Sequence, residues 1–217
     1  DVCFFRSDAF LDRGVTDLDF ATSARPDDIL AIVKPISDVQ WDVGRDFGTI
    51  AARVRGEQVE ITTYRADSYD GETRKPVVEF GDRLEGDLAR RDFTVNAMAL
   101  RLPERVLVDP WGGLDDILAK RITTPGAPEV SFGDDPLRMM RAARFTSQLG
   151  FEVDEQTVAA MGELAPRLEI VSVERVADEL RKAQGALRSG TTPETLYTKR
   201  VVTTVTTGEN DRTRGRP

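Results

Sequence analysis

Histidine is missing from this chain of 217 residues, and Cys3 is its one cysteine. Without histidine there is no serine or cysteine triad and no imidazole-ligated metal. A lone cysteine excludes an internal disulfide and a cysteine-based zinc site. Any metal must therefore be held by carboxylates, whose oxygens suit magnesium, manganese or calcium. No apolar run is long enough to cross a bilayer. The opening "DVCFFRSDAF" is acidic, lacks the apolar core of a secretory signal and does not begin with Met, so the chain reads as a fragment, expected in the cytoplasm. Cations are in deficit too: 30 Lys and Arg against 38 Asp and Glu leave a net charge of −8. That argues against a generic nucleic-acid coat but allows a local basic track on an acidic body.

What is present is an ordinary globular composition, 40% hydrophobic and 31% charged. The first half alternates strand and helix signals. Asp17–Thr22 reads as a strand. "ARPDDILAIV" reads as a short helix, with Pro26 at its start and Asp27 and Asp28 in its first turn. "TIAARVRGEQVEITTYR" reads as a hairpin turning over Arg55-Gly56-Glu57-Gln58. "RADSYDGETRKP" reads as a polar loop, "RRDFTVNAMALRL" is open between helix and strand, and "RVLVDPWGGLDDILAKRI" reads as strand, turn and short helix. From about Gly133 only helix signals follow, with Pro136 opening and Gly150 closing the first helix, so a boundary is expected in "TPGAPEVSFG". Beyond about Gly185 a threonine-rich tail loses any apolar face and reads as disordered, although "VVTTVTT" alone could form a strand.

Three constellations carry chemistry. In "VTDLDFAT", Asp17 and Asp19 flank Leu18, and strand alternation would project both carboxylates to one side, about 6–7 Å apart at the backbone. Like charges so held need solvent or a cation between them. Glu60, in the neighbouring candidate strand with Thr62 on its face, is a third candidate carboxylate. Three such groups on one sheet surface are what a pair of magnesium ions needs for phosphoryl transfer; the alternative is a solvated surface. In "EGDLARRDFTVNAMAL", the guanidiniums of Arg90 and Arg91 suit phosphate, while Asp92 and Asn96, one helical turn apart if the segment is helical, suit sugar hydroxyls or base edges. The alternative is an exposed ion pair. In "GDDPLRMMRAARF", Asp134 and Asp135 would stand a helical turn from Arg138, followed at steps of three by Arg141 and Arg144. An Asp/Arg pair so fixed offers an acceptor and donors to a base edge; the alternative is a charged helix face.

In their order, "TDLDFAT", "LARRDFTVNAMAL", "DPWGGLDD", "FGDDPLRMMRAARF" and "SVERVADEL" resemble the successive motifs of the class II tRNA nucleotidyltransferases, the CCA-adding enzymes and the related bacterial poly(A) polymerases. The resemblance covers about Asp8 to Arg181. It implies an α+β fold: a polymerase-beta-type nucleotidyltransferase head, a mixed sheet with helices, over residues 1–128, an all-helical neck over 129–186, and an atypical tail over 187–217. It implies template-independent addition of CCA to tRNA 3′ ends from CTP and ATP, with two Mg²⁺ ions. Asp17 and Asp19 match the family's metal-binding aspartates, with Glu60 the candidate third. Arg90, Arg91, Asp92 and Asn96 match its ribose- and phosphate-contacting motif. Asp134, Asp135 and Arg138 fall on its acidic-acidic-x-x-Arg motif, whose Asp and Arg template the base edge, with Asp134 where Glu is usual. Arg141, Glu174 and Arg175 match supporting neck positions. Two departures stand out. Cys3 and Phe4 occupy the place of two glycines in the family's Gly-Gly-x-x-Arg turn, and "RKAQGALRSGTTPETLY" leaves the pattern, as a truncation or frame change would. The other readings are a poly(A) polymerase and a non-catalytic remnant.

Overall fold

The computed structural model describes residues 2–5, 18–42, 44–65 and 80–188. Asp17, the loop "RADSYDGETRKP" beyond its first residue, and the tail with "VVTTVTT" lie outside them. The described chain divides into two compact units, one holding the residues up to 65 with 80–91 and 96–113, the other holding 92–95 and 114–188.

The first unit is built on a seven-stranded sheet. Its strands are β1 (Val2–Phe5), β2 (Leu18–Thr22), β3 (Val39–Trp41), β4 (Thr49–Val54), β5 (Glu57–Thr63), β6 (Ala99–Leu102) and β7 (Val106–Val108), in the order β3-β4-β5-β2-β1-β6-β7. β2 and β5 run parallel, and the other pairings are antiparallel. Helix α1 (Pro26–Val33) begins as its sequence dictates: Pro26 needs no amide partner in the first turn, and Asp27 and Asp28 sit at the positive end of the helix dipole. Its Ile29 and Val33 pack with Ile50, Ala52 and Val59, joined by Leu18, Phe20 and Ile61. The opposite face of the sheet receives α2 (Leu84–Ala89), whose Leu84 and Leu88 cluster with Ala21, Tyr64 and Ala99.

The β4–β5 hairpin is tighter than its sequence suggests. Only Arg55 and Gly56 turn, both at positive φ (54° and 87°), and Glu57 and Gln58 already belong to β5. This is the φ pattern of a type I′ turn, whose twist matches that of the flanking strands.

The second unit is mainly helical, with α4 (Pro128–Asp134), α5 (Leu137–Leu149), α6 (Glu155–Leu164) and α7 (Val173–Arg188) preceded by the short helix α3 (Gly113–Leu118), which straddles the division. α5 packs along α7 and α4 against α6, around buried Phe132, Met139, Met140 and Met161. Within "TPGAPEVSFG" the chain is helical from Pro128 onward. One expectation changes here. The region after Gly133 is not helix only: Glu152–Val153 (β9) pairs in parallel with Arg121–Ile122 (β8). Gly150 does end α5, in the left-handed conformation (φ 68°) that a helix C-terminus favours.

Candidate nucleotidyltransferase site

Asp19 and Glu60 are direct register partners across the parallel pair β2–β5. Their neighbours Leu18, Phe20, Val59 and Ile61 turn to the α1 side, so alternation sends Asp19 and Glu60 to the other face. Asp19 is exposed and Glu60 half-buried. Ala51 is the register partner of Glu60 on β4. Thr62 follows on the same face, its hydroxyl 2.9 Å from that of Thr49. Two carboxylates side by side on one sheet face are an all-oxygen donor set, which fits a hard divalent cation. Asp17, the third member of the expected trio, is outside the described residues.

Arg90 and Arg91 follow α2 directly. The structure gives both a partner that the sequence reading overlooked. Asp87 lies at i−3 and i−4 and is buried, its side chain 1% exposed. Its Oδ1 accepts from Arg90 Nε at 3.0 Å, and its Oδ2 from Arg91 Nη2 at 3.0 Å. Oδ1 also receives the backbone N–H of Arg65 at 3.3 Å. Burial opposes the charged form of Asp87, but the pull of Arg91 and Arg90 outweighs it and holds the carboxyl below its usual range. The bland alternative for the arginines, an exposed ion pair, does not describe this arrangement. The spacing D-x-x-R-R was the available signal.

Asp92 and Asn96 do not share a helix face. Residues 91–93 bend, and Thr94–Asn96 is a single 3₁₀ turn. Side chains take the place of helical hydrogen bonds here. Asp92 Oδ1 accepts from Phe93 N at 2.8 Å, and Thr94 donates to Asp116 at 2.6 Å while its amide bonds Thr123 O at 2.9 Å. Asp116 is buried and also accepts from Thr123 and, at 2.7 Å, from Arg121 Nε.

Arg141 forms an ion pair with Asp92 at 2.7 Å, joining two constellations that are far apart in sequence. Phe93 beneath them meets Phe145 edge-to-face at 5.7 Å, and Arg141 and Arg144 lie 5.9 and 4.3 Å from the Phe145 ring centre. Arg144 itself bonds Glu179 of α7 at 2.6 Å.

Asp134 and Arg138 are not one turn apart on a common helix. Asp134 ends α4, Asp135 is extended (φ −136°, ψ 96°), and Arg138 lies in the first turn of α5. Asp135 Oδ1 accepts from Leu137 N at 3.2 Å. Arg138 is buried and donates to Ser131 Oγ at 2.8 Å. Burial raises the Asp134 carboxyl above its usual range, against the opposing pull of Arg138 and Arg167. Arg167 also donates to Gly133 O at 3.0 Å. Glu174 and Arg175 are exposed in the first turn of α7.

Comparison with known proteins decides the family. The pattern described as "Poly A polymerase head domain" matches residues 6–123, and that described as "Probable RNA and SrmB-binding site of polymerase A" matches residues 150–188. The chain belongs to the poly A polymerase head-domain family. The CCA-adding enzyme of Enterococcus faecalis is 42% identical over 176 residues, covering 81% of this chain and 42% of that protein. The crystal structure of the Bacillus stearothermophilus CCA-adding enzyme in complex with CTP superposes with a TM-score of 0.79 at 36% identity, covering 93% of this chain and 47% of that one. A tRNA nucleotidyltransferase complexed with a primer tRNA and an incoming ATP analog gives a TM-score of 0.72 at 26% identity over 95% of this chain and 59% of that one. The chain thus spans less than half the length of the curated relatives it matches. The resemblance read from the motifs holds, as does the fold class, a polymerase-beta-type head with mixed sheet and helices. Among the described residues no helix is long and apolar enough to cross a membrane.

Proposed function

We propose that this chain carries the catalytic head and part of the neck of a cytoplasmic, template-independent RNA nucleotidyltransferase that adds C, C and A to tRNA 3′ ends from CTP and ATP. The head is read as residues 1–128, the neck as 129–186 and the tail as 187–217. The observation that supports this most is the register pairing of Asp19 with Glu60 on the sheet face away from α1. It is joined by relatives named CCA-adding enzymes and by a structural neighbour that binds CTP.

Asp19 and Glu60, with Asp17, would hold magnesium. Two such ions, when bound, supply Lewis-acid activation of the RNA 3′-hydroxyl and offset charge on the leaving pyrophosphate. Arg90 and Arg91 grip the triphosphate and orient its α-phosphorus for in-line attack, so positioning does much of the work. Asp92 and Asn96 bond the ribose, with Arg141 steering the Asp92 carboxylate. Asp134, Asp135 and Arg138 read the base: a carboxylate accepts from the exocyclic amino group shared by cytosine and adenine, and the guanidinium donates to ring acceptors. No side-chain general base is required, in keeping with a chain without histidine.

The test is incorporation of labelled CTP and ATP into tRNAs ending before CCA or after CC, with magnesium. Addition of C, C and A is expected from the wild type, with loss of at least a hundredfold in Asp19→Ala and Glu60→Gln, whose folding is checked by circular dichroism. Long A tails would replace this reading with a poly(A) polymerase. A folded wild type that incorporates nothing would make the chain a non-catalytic remnant, as the Cys3-Phe4 substitution would then explain.

A further inference from the structure

We infer that Asp87 is a positioning residue that sets both arginines against the carboxylate-bearing strand, so that nucleoside triphosphates are gripped through their phosphates in register with Asp19 and Glu60. The inference rests on the function proposed above and adds to it a residue that the sequence reading quoted within "EGDLARRDFTVNAMAL" but assigned no role.

Three observations carry it. First, Asp87 engages both arginines at once with different oxygens. Arg90 approaches Oδ1 through Nε (3.0 Å) and Nη2 (2.9 Å), and Arg91 approaches Oδ2 through Nη2 (3.0 Å). Bound through its Nε–Nη2 edge, the Arg90 guanidinium has its plane fixed and still carries N–H donors on its other edges, while Arg91 is anchored at one nitrogen.

Second, the anion and the cations differ in exposure. The Arg90 and Arg91 side chains are 22% and 30% exposed against 1% for Asp87. The anion is thus sealed beneath while the cations reach the surface, the arrangement that favours an incoming polyanion.

Third, Asp87 is tied to the strand that bears Glu60. Its Oδ1 accepts the Arg65 amide at 3.3 Å, two residues beyond the end of β5, where Tyr64 N still bonds Thr22 O of β2 at 2.7 Å. One side chain therefore fixes the arginine pair relative to both strands of the carboxylate pair, all within one compact unit. The helix itself could not do this, because α2 spans six residues and the arginines lie beyond its end.

The experiment compares wild type, Asp87→Asn and Asp87→Glu in steady-state incorporation of CTP and ATP, together with calorimetric binding of inorganic tripolyphosphate. Asp87→Asn is expected to lower kcat/KM by about tenfold to a hundredfold, mainly through KM and by the same factor for CTP and ATP, because the triphosphate is common to both. Asp87→Glu, which keeps the charge but moves it, should fall between. Loss of folded protein alone would lower kcat and leave KM unchanged. An unchanged KM in both variants overturns the inference. If Asp87→Asn does not fold, Asp87→Glu decides: a raised KM supports the inference and a wild-type KM overturns it. Should the wild type incorporate nothing, the function proposed above falls, and tripolyphosphate then reads Asp87 by itself. Weaker binding by the variants than by the wild type supports the positioning role. Equal binding, or none by the wild type, overturns it.

Discussion

Replacing Asp116 by alanine separates two neighbours that the sequence presents as equals. "GLDDIL" places Asp115 and Asp116 together in the first turn of α3. Asp115 is exposed, whereas the Asp116 side chain is 5% exposed and accepts from Thr94, Thr123 and Arg121. In Asp116→Ala, the buried Thr94 hydroxyl keeps only the hydroxyl of Thr123, at 3.1 Å. Hydrogen bonds to a charged acceptor are worth roughly 1.5–3 kcal/mol each. Arg121 is 50% exposed and can rehydrate, so its share is at most about 1 kcal/mol. Relief of a buried charge offsets part of the loss, which leaves a net cost of about 3 kcal/mol. For a chain of this length that lowers Tm by roughly 6–12 °C. Asp115→Ala should stay within about 0.5 kcal/mol. Urea unfolding followed by circular dichroism measures both. A cost below about 1 kcal/mol for Asp116→Ala, or equal costs for the two variants, would refute the view that this network holds the bend after Arg91.

Acid titration should expose Asp134. Its folded-state carboxyl is raised, so ionisation disfavours the fold; Asp134→Asn should be the more stable form at pH 7, and the gap should close as pH falls through the raised folded-state value toward the ordinary carboxylate value of 3.8. Thermal melts across pH 3–7 test this, and a gap that widened in acid would contradict the burial argument. Gly48 sits at φ +86°, and a Cβ there would stand 2.8 Å from Phe80 Cε1, so Gly48→Ala should cost about 1–2 kcal/mol, read by the same melts.

Much of the fold was readable from pattern where its physics is local. Alternation in "LDFAT" and "EQVEITT" separates core from carboxylates, and Pro26 and Gly150 punctuate helices as their backbone preferences require. The errors differ in cause. In "RRDFTVN" the helical spacing of Asp92 and Asn96 is a property of sequence alone, and tertiary bonds to Asp116 and Thr123 override it. The break between Asp134 and Arg138 was signalled, since the residue before a proline is pushed out of the helical region, and Asp135 precedes Pro136. Burial was the information that no pattern supplied. Asp19, Asp87, Asp115 and Asp116 are the same amino acid, and only the fold decides which anion faces solvent and which meets arginine.

The arginines at steps of three teach a related lesson. Three residues advance a helix by 300°, so Arg138, Arg141 and Arg144 fan around α5 rather than form a stripe. They reach Ser131, Asp92 and Glu179 respectively. Two of these partners lie in other motifs: Asp92 in "LARRDFTVNAMAL" and Glu179 in "SVERVADEL". Asp116 of "DPWGGLDD" meets Thr94 of the first of them. Four of the five motifs are therefore joined by counter-charges or hydrogen-bond partners that one supplies and another buries. A buried carboxylate without its partner costs several kcal/mol, so any one of these segments alone would be a liability. That is the physical reason why the motifs identify a family only in combination: what they encode is a set of mutually dependent buried contacts, and the spacing along the chain is their by-product.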